Sequence, residues 1–216
     1  MATSIERGDN SPTFVGARGR VPVGVSGKGG EMEDRKDRKR RIIVDIDNTL
    51  WHLAPELWEA LKKVNPEMPP PAEWDSRRSI ERFMPIKEFF RVLKVIHMRQ
   101  EIYPPFPDAE YFLGALKERG FYIVIASHRS AETYEPTVNW MKKYRLAHDE
   151  IHLSYDKSVL FPGSIALVDD SPLNLGKALE AGILGTGLLF PWNDKSGFPL
   201  FKTLSEVLGY LDSKLG

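Results

Sequence analysis

The chain has 216 residues, 30 basic and 30 acidic side chains that cancel to a formal net charge of zero, and no cysteine. The missing thiols exclude disulfides, zinc–thiolate sites and cysteine nucleophiles, and the charge balance gives no bulk attraction to a nucleic acid polymer or a membrane. No apolar run approaches the roughly 18 residues that cross a bilayer, and no secretory apolar stretch opens the chain. The expectation is a soluble, cytoplasmic protein of one ordinary domain with an insertion or a tail.

Residues 1–40 are rich in Gly, Ser, Arg and Lys and poor in periodic apolar residues, and are expected to form a disordered tail. Gly24-Val25-Ser26-Gly27-Lys28-Gly29-Gly30 fails as a phosphate loop: its spacing is wrong, no Ser or Thr follows Lys28, and no strong strand precedes it. The basic cluster Arg35–Arg41 reads as a solvated run leading into a strand rather than a nucleic-acid patch. Met32 is a candidate alternative start of translation.

The first folded element is the run Ile42, Ile43, Val44, Ile46, continuous and β-branched, which reads as a buried parallel strand. It ends in two carboxylates, Asp45 and Asp47, at the sheet edge where open parallel sheets bind ligands. Two acids at that position need a cation or a shared proton. Residues 52–107 are expected to form a helical insertion: a helix over Pro55–Val64, a proline-rich break at Pro66 to Pro71, and helices over Ser79–Phe83 and Pro85–Met98.

Strands and helices then alternate, which implies a parallel sheet covered on both faces. Asp108 is placed as the N-cap of a helix running to Arg119 and stopped by Gly120. Phe121–Ala126 is a strand ending at Ser127, and Ala131–Arg145 a helix. Ile151–Ser154 and Ser164–Val168 are strands, the second ending in Asp169-Asp170. A helix over Leu173–Ala181, a strand over Gly185–Phe190, and a capping box Thr203-Leu204-Ser205-Glu206 opening the last helix complete the order.

If these strands are neighbours, Asp45, Asp47, Asp169, Asp170, Ser127 and Lys157 converge on one edge. Four carboxylates repel unless a hard cation such as magnesium neutralises them, and magnesium keeps positions for water and phosphate oxygens.

In this order, the residues resemble the haloacid dehalogenase superfamily of phosphotransferases. Asp45-Ile46-Asp47-Asn48-Thr49 matches its Asp-x-Asp-x-Thr motif, Ser127 its second motif, Lys157 its third, and Asp169-Asp170 its fourth. The resemblance spans about residues 41–190 and implies an α/β, Rossmann-like parallel sheet with a small helical cap. It divides the chain into a core of 41–51 and 108–216 and a cap of 52–107. The activity implied is a magnesium-dependent phosphomonoester hydrolase working through an aspartyl-phosphate. Asp45 would be the nucleophile and Asp47 the proton donor and acceptor. Ser127 and Lys157 would hold phosphoryl oxygens. Mg2+ would be held by Asp45, the Asp47 carbonyl and Asp170, with Asp169 supporting Lys157 or a metal-bound water. Trp51, His128 and Arg129 are placed beside the substrate.

Two groups within the superfamily resemble the chain most. The stretch from Trp140 through Asp156-Lys157 to Asp170 is similar to deoxyribonucleotidases, which implies a nucleoside monophosphate or another small phosphomonoester as partner. Asp45 through Trp51 is similar to magnesium-dependent phosphatases that usually lack a large cap. Asn48-Thr49 departs from the Gly-Val that the nucleotidases often carry. Protein or sugar-phosphate phosphatases, a dehalogenase, a mutase and a catalytically silent binding protein are the alternatives; the complete motif set argues against the last.

A calcium loop at Asp45 with Glu56 in the twelfth position fails because Leu50 stands where glycine is required. Ser127 as a turn residue, Lys157 as a surface lysine, and Asp170-Ser171-Pro172 as a helix start are the plain alternatives. His97, His128 and His152 lack ligand-like spacing and read as ordinary. Trp51, Trp74 and Phe83 could stack on a base, but aromatics in a small helical unit more often form its core. Arg77, Arg78 and Arg82 read as solvated surface.

Overall fold

The computed structural model describes residues 40–74 and 80–216. The tail expected over 1–40, with Lys28, Met32 and all but the end of the basic cluster, therefore lies outside the described residues, as do Arg77, Arg78 and the start of the helix expected at Ser79.

Six parallel strands form one sheet in the order β3-β2-β1-β4-β5-β6. They are β1 (Arg41–Val44), β2 (Tyr122–Ser127), β3 (Glu150–Leu153), β4 (Ser164–Val168), β5 (Leu184–Leu188) and β6 (Leu200–Phe201). The order reverses at β1, whose two neighbours are β2 and β4. Chain direction and register thus bring the ends of the three most apolar strands side by side: Val44 is level with Ile125 and Val168. The ladder continues one residue further, since the Asp45 amide donates to the Val168 carbonyl at 2.9 Å.

Alternation along β1 divides the core. Ile42 and Val44 join Ile123, Ile125, Ala166 and Val168 on one face, packed with Phe112, Leu116, Trp140, Leu208 and Leu211. These come from α3 (Ala109–Glu118), α4 (Tyr134–Lys143) and α6 (Leu204–Leu215). Ile43, Val124, Ala126 and Leu167 face the other way, against Leu160, Phe161, Ile183 and the Leu175–Ala178 side of α5 (Pro172–Glu180). Both faces are covered, which is why these strands carry no polar alternation.

Between β1 and α3 lie α1 (Leu53–Lys62) and α2 (Ile86–Met98). Leu57 and Leu61 of α1 and Val92 and Ile96 of α2 share a buried cluster with Met68, Ile80 and Met84. Trp58 donates to the Met68 carbonyl, Trp74 to that of Pro69, and Asn65 to that of Phe83, tying the proline-rich connection to the helices. Trp74 and Phe83, both partly buried, pack against this core. The segment closes on itself where the Phe106 amide donates to the Leu50 carbonyl at 2.8 Å. None of the described helices is long and apolar enough to cross a membrane.

The helix expected over Pro55–Val64 runs two residues earlier, over Leu53–Lys62, and the one expected over Ala131–Arg145 begins as a 3-10 turn, Ala131–Thr133, before α4. Thr203 and Glu206 form both bonds of the expected capping box. Asp108 occupies the N-cap position of α3 but makes no side-chain cap there. Its carboxylate instead accepts from the Ser205 amide and hydroxyl at the start of α6. Sequence spacing does not register that tertiary competition. The two-residue β6 was not anticipated; it is too short to leave a period.

Gly187 in β5 is the position where the backbone of the fourth motif needs room. A Cβ there would lie 1.9 Å from the Asp169 carbonyl oxygen. Because the obstacle is main chain, Gly187→Ala is expected to cost about 1–3 kcal/mol, read as a lowered urea midpoint at unchanged m-value.

Candidate active site

The sheet delivers Asp45 from the exit of β1, Ser127 from the last residue of β2, and Asp169-Asp170 from the exit of β4. Lys157 opens the short 3-10 turn Lys157–Leu160 between β3 and β4, where the Asp156 side chain caps the turn by accepting from the Ser158 amide. The β1 exit folds back sharply: Thr49 and Leu50 both donate to the Ile46 carbonyl. Asn48 takes a left-handed φ of 55°, which asparagine tolerates, and accepts from the Ala54 amide at the head of α1.

Lys157 is buried, and its ammonium reaches Asp45 Oδ1 at 2.5 Å and Asp169 Oδ2 at 2.7 Å. Burial alone would lower its pKa, but Asp169 and Asp45 outweigh that and hold the proton firmly. Asp169 is saturated by protein donors, since Asn174 Nδ2 and the Ser171 amide also bind it. Asp170 is engaged less fully: Trp192 Nε1 donates to its Oδ2 at 3.1 Å, and its backbone carbonyl accepts from Asn193.

Carboxylate oxygens of Asp45, Asp169 and Asp170 lie within 4.8 Å of one another. One ammonium faces three acids, and the imbalance is felt. Burial, reinforced by Asp169, Asp47 and Asp170 against the opposing Lys157, raises Asp45 well above the usual carboxylate range. Burial and Asp169 push Asp170 up to about 7. An all-oxygen donor set short of positive charge fits a hard divalent cation such as magnesium. Asp45 and the less saturated Asp170 are the residues that would hold it.

Asp47 sits in a different environment. Its Oδ1 accepts from Trp51 Nε1 at 2.9 Å and from Arg129 Nη2 at 2.5 Å. Its Oδ2 accepts from Ser127 Oγ and Arg129 Nε, both at 3.0 Å. His97 Nε2 is 3.3 Å from Oδ2. Burial would raise this carboxyl, but Arg129 and His97 outweigh it and hold Asp47 well below the usual range.

The structure therefore draws together Asp45, Lys157, Asp169 and Asp170 as one group, and Asp47, Ser127 and Arg129 as another. Ser127 donates to Asp47 rather than standing free. Trp51 is buried, stacked on Tyr103 at 5.0 Å, and turned toward Asp47. Arg129 is 1% exposed and also turned inward. His128, between the two, is exposed; burial of part of its ring and the nearby Lys157 lower its pKa. His97, read as ordinary from spacing, is buried beside Asp47. Asn174, Trp192, Asn193 and Gln100 were not singled out in the sequence. Only Asn174 carried a signal there, one helical turn beyond Asp169-Asp170.

No family model matches the chain, and no curated protein matches it. Solved structures do. A predicted phosphoglycolate phosphatase from Haemophilus somnus is 20% identical over 80% of this chain and 98% of its own, with a TM-score of 0.55. A conserved haloacid dehalogenase-like protein of unknown function from Agrobacterium tumefaciens is 13% identical over 82% of this chain and all of its own, with a TM-score of 0.61. CbbY from Rhodobacter sphaeroides, solved with phosphate, is 15% identical over 78% of this chain and 96% of its own, with a TM-score of 0.56. The chain has the haloacid dehalogenase-like fold. Identities this low establish that fold and nothing of the chemistry, which rests on the residues above.

A cation held at Asp45 and Asp170 would compete with protons for them. With its folded pKa near 7 against an ordinary 3.8, Asp170 favours its neutral form in the fold. Its contribution to metal-free stability falls as pH rises between those two values, because the carboxyl ionises more easily in the unfolded chain; His52, His97 and His128, all lowered from 6.5, contribute with the opposite sign in the part of that range below 6.5. Magnesium held there would bind the ionised form and so reverse the Asp170 contribution. The rise in Tm on adding magnesium in place of EDTA is expected to be larger at about pH 8 than at about pH 6.

Proposed function

We propose that the chain is a phosphomonoester hydrolase working through an aspartyl-phosphate on Asp45. The observation that carries this reading is the Lys157 ammonium bridging Asp45 and Asp169 with Asp170 alongside. That arrangement supplies a nucleophilic carboxylate and fixed positive charge for phosphoryl oxygens, in a donor set suited to magnesium. When bound, the cation would supply charge neutralisation for the phosphoryl group and for the acids.

Asp45, with one oxygen on Lys157, directs the other at phosphorus. The new Asp45–phosphorus bond forms as the phosphorus–oxygen bond to the leaving group breaks, and Asp47 gives its proton to the departing oxygen. Water then attacks the phosphoryl group, Asp47 takes up the water's proton, and the bond to Asp45 breaks, releasing inorganic phosphate and the free carboxylate. Ionised Asp47, the form its clamp favours, serves this second half directly; the proton it takes from the attacking water is the one it gives to the leaving oxygen of the next turnover, through the minor protonated form. Lys157 holds charge on the phosphoryl oxygens. Asp169, bound by Asn174 and the Ser171 amide, keeps the lysine aimed. The helical segment 52–107, joined to the Asp47 side of the site, is read as a cap.

The substrate class supported is a small organic phosphomonoester. Among the solved structures, CbbY was captured with phosphate, and a mutant of it with xylulose-(1,5)bisphosphate, which favours sugar phosphates over the nucleoside monophosphate suggested by the stretch from Trp140 to Asp170.

Asp45→Asn is expected to abolish phosphate release from p-nitrophenyl phosphate in the presence of magnesium, a loss on the order of a thousandfold or more, with an unchanged circular dichroism spectrum. Full activity in that folded variant refutes the nucleophile. A wild-type protein inactive with magnesium across sugar phosphates, nucleotides and aryl phosphates would instead mark a silent binding protein.

A further inference from the structure

The acids of the site differ in the charge of what holds them. Asp47 is gripped by the Arg129 guanidinium, and Asp45 and Asp169 share the Lys157 ammonium. The direct partners of Asp170 are neutral. Trp192 Nε1 donates to its Oδ2 at 3.1 Å, and the Asn48 side chain hydrogen-bonds the same carboxyl. A charged partner spends a carboxylate's negative charge; a neutral N–H fixes its direction and leaves that charge for a cation. Indole is suited to the task, having one donor, no acceptor and no charge. It occupies one oxygen of Asp170 and cannot itself ligate a metal.

Trp192 is in turn held from several sides. Its ring stacks on Phe190 at 4.5 Å with 6° between the planes. Phe190 packs against His52 at 5.5 Å, and His52 against Phe106 at 5.7 Å, so the row of rings ends on both stems of the helical segment. The loop that carries Trp192 is closed by Asn193, which is 1% exposed. Asn193 Oδ1 accepts from the Phe190 amide at 2.7 Å, and Nδ2 donates to the Leu188 carbonyl at 2.9 Å and the Asp170 carbonyl at 2.8 Å. One loop after β5 therefore grips Asp170 twice, its main chain through Asn193 and its carboxylate through Trp192. The chemistry described above uses neither residue.

We propose that Trp192 is the positioning residue of the cation site, presenting the carboxylate of Asp170 to the metal through a neutral hydrogen bond. The inference rests on the reading of Asp45 and Asp170 as the residues that would hold magnesium. Trp192 touches neither metal nor substrate; it acts through the direction of the Asp170 carboxylate. Removing a hydrogen-bond partner behind a metal ligand weakens the metal, even where the ligand itself remains.

The test measures magnesium affinity of the full chain by isothermal titration calorimetry at one fixed pH. Asp170→Asn sets the reference and is expected to bind magnesium far more weakly than the wild type. Replacing Trp192 by benzothienylalanine keeps the double ring and its stack on Phe190 and removes only the N–H. That protein is expected to bind magnesium about tenfold more weakly, and Trp192→Phe at least as weakly. Because ring and loop are retained, the loss in the benzothienylalanine protein reads the donor and not the packing. Wild-type affinity in that protein overturns the positioning role, and the cation site still stands if Asp170→Asn has lost its affinity. If Asp170→Asn binds magnesium as tightly as the wild type, or the wild type binds none, the placement of the cation fails and this inference with it. The hydrolase reading is judged apart from these, by phosphate release from Asp45→Asn. Should Trp192→Phe not fold, the benzothienylalanine protein carries the same outcomes.

Discussion

The buried bridge from Lys157 to Asp45 and Asp169 is the constraint on which the rest of the structure depends. It joins three segments that are far apart in sequence: the exit of β1, the turn after β3 and the exit of β4. Three carboxylates and one ammonium gathered largely out of solvent are not a stabilising arrangement in themselves, because desolvation offsets much of the Coulomb attraction. The fold tolerates it by spending further donors on Asp169, from Asn174 and the Ser171 amide, and by giving the β4 exit its room through Gly187. The remaining charge deficit raises Asp45 and Asp170 and is what would make the site receptive to a cation.

The two acids of the first motif are one residue apart and electrostatically opposite. Asp45 is driven up by burial among like charges. In Asp47, burial is outweighed by Arg129 and His97, which drive it down. Divergent environments on neighbouring carboxyls are the usual way one scaffold assigns them different tasks. Here the division follows from the sharp turn after β1: Ile46 is buried between them, and the left-handed Asn48 sends the chain back on itself. Asp45 looks toward β4 and Lys157, Asp47 toward β2, α4 and the end of α2.

Much of this was readable in the amino-acid order. The β-branched runs Ile42–Val44 and Ile123–Ile125 can only be buried strands, and acids at their ends announce an edge where charge must be neutralised. The capping box at Thr203 and the glycine stops at Gly120 and Gly182 are local devices, complete within a few residues, and so visible without a fold. For Asp169 the resemblance implied two alternatives, support of Lys157 or of a metal-bound water; in the structure its carboxylate accepts from Lys157 at 2.7 Å.

What the sequence could not settle was every contact between distant side chains. Ser127 and Arg129 have no local signature saying that both point at Asp47. Trp51 and Arg129 looked like substrate-facing residues, yet burial turns them inward. His97 and Gln100 were invisible because their partners are distant in sequence: Asp47, some fifty residues upstream of His97, and Arg129, 29 residues downstream of Gln100. Asp108 illustrates the same limit in a single residue: local rules assign it to α3, and the nearer donors of Ser205 take it. Local structure and the sign of the charge at each strand end were determined by sequence. Which charges face one another, and so which acid is held ionised and which waits for a cation, was decided only by tertiary packing, because the parallel sheet sets those distances through strand order.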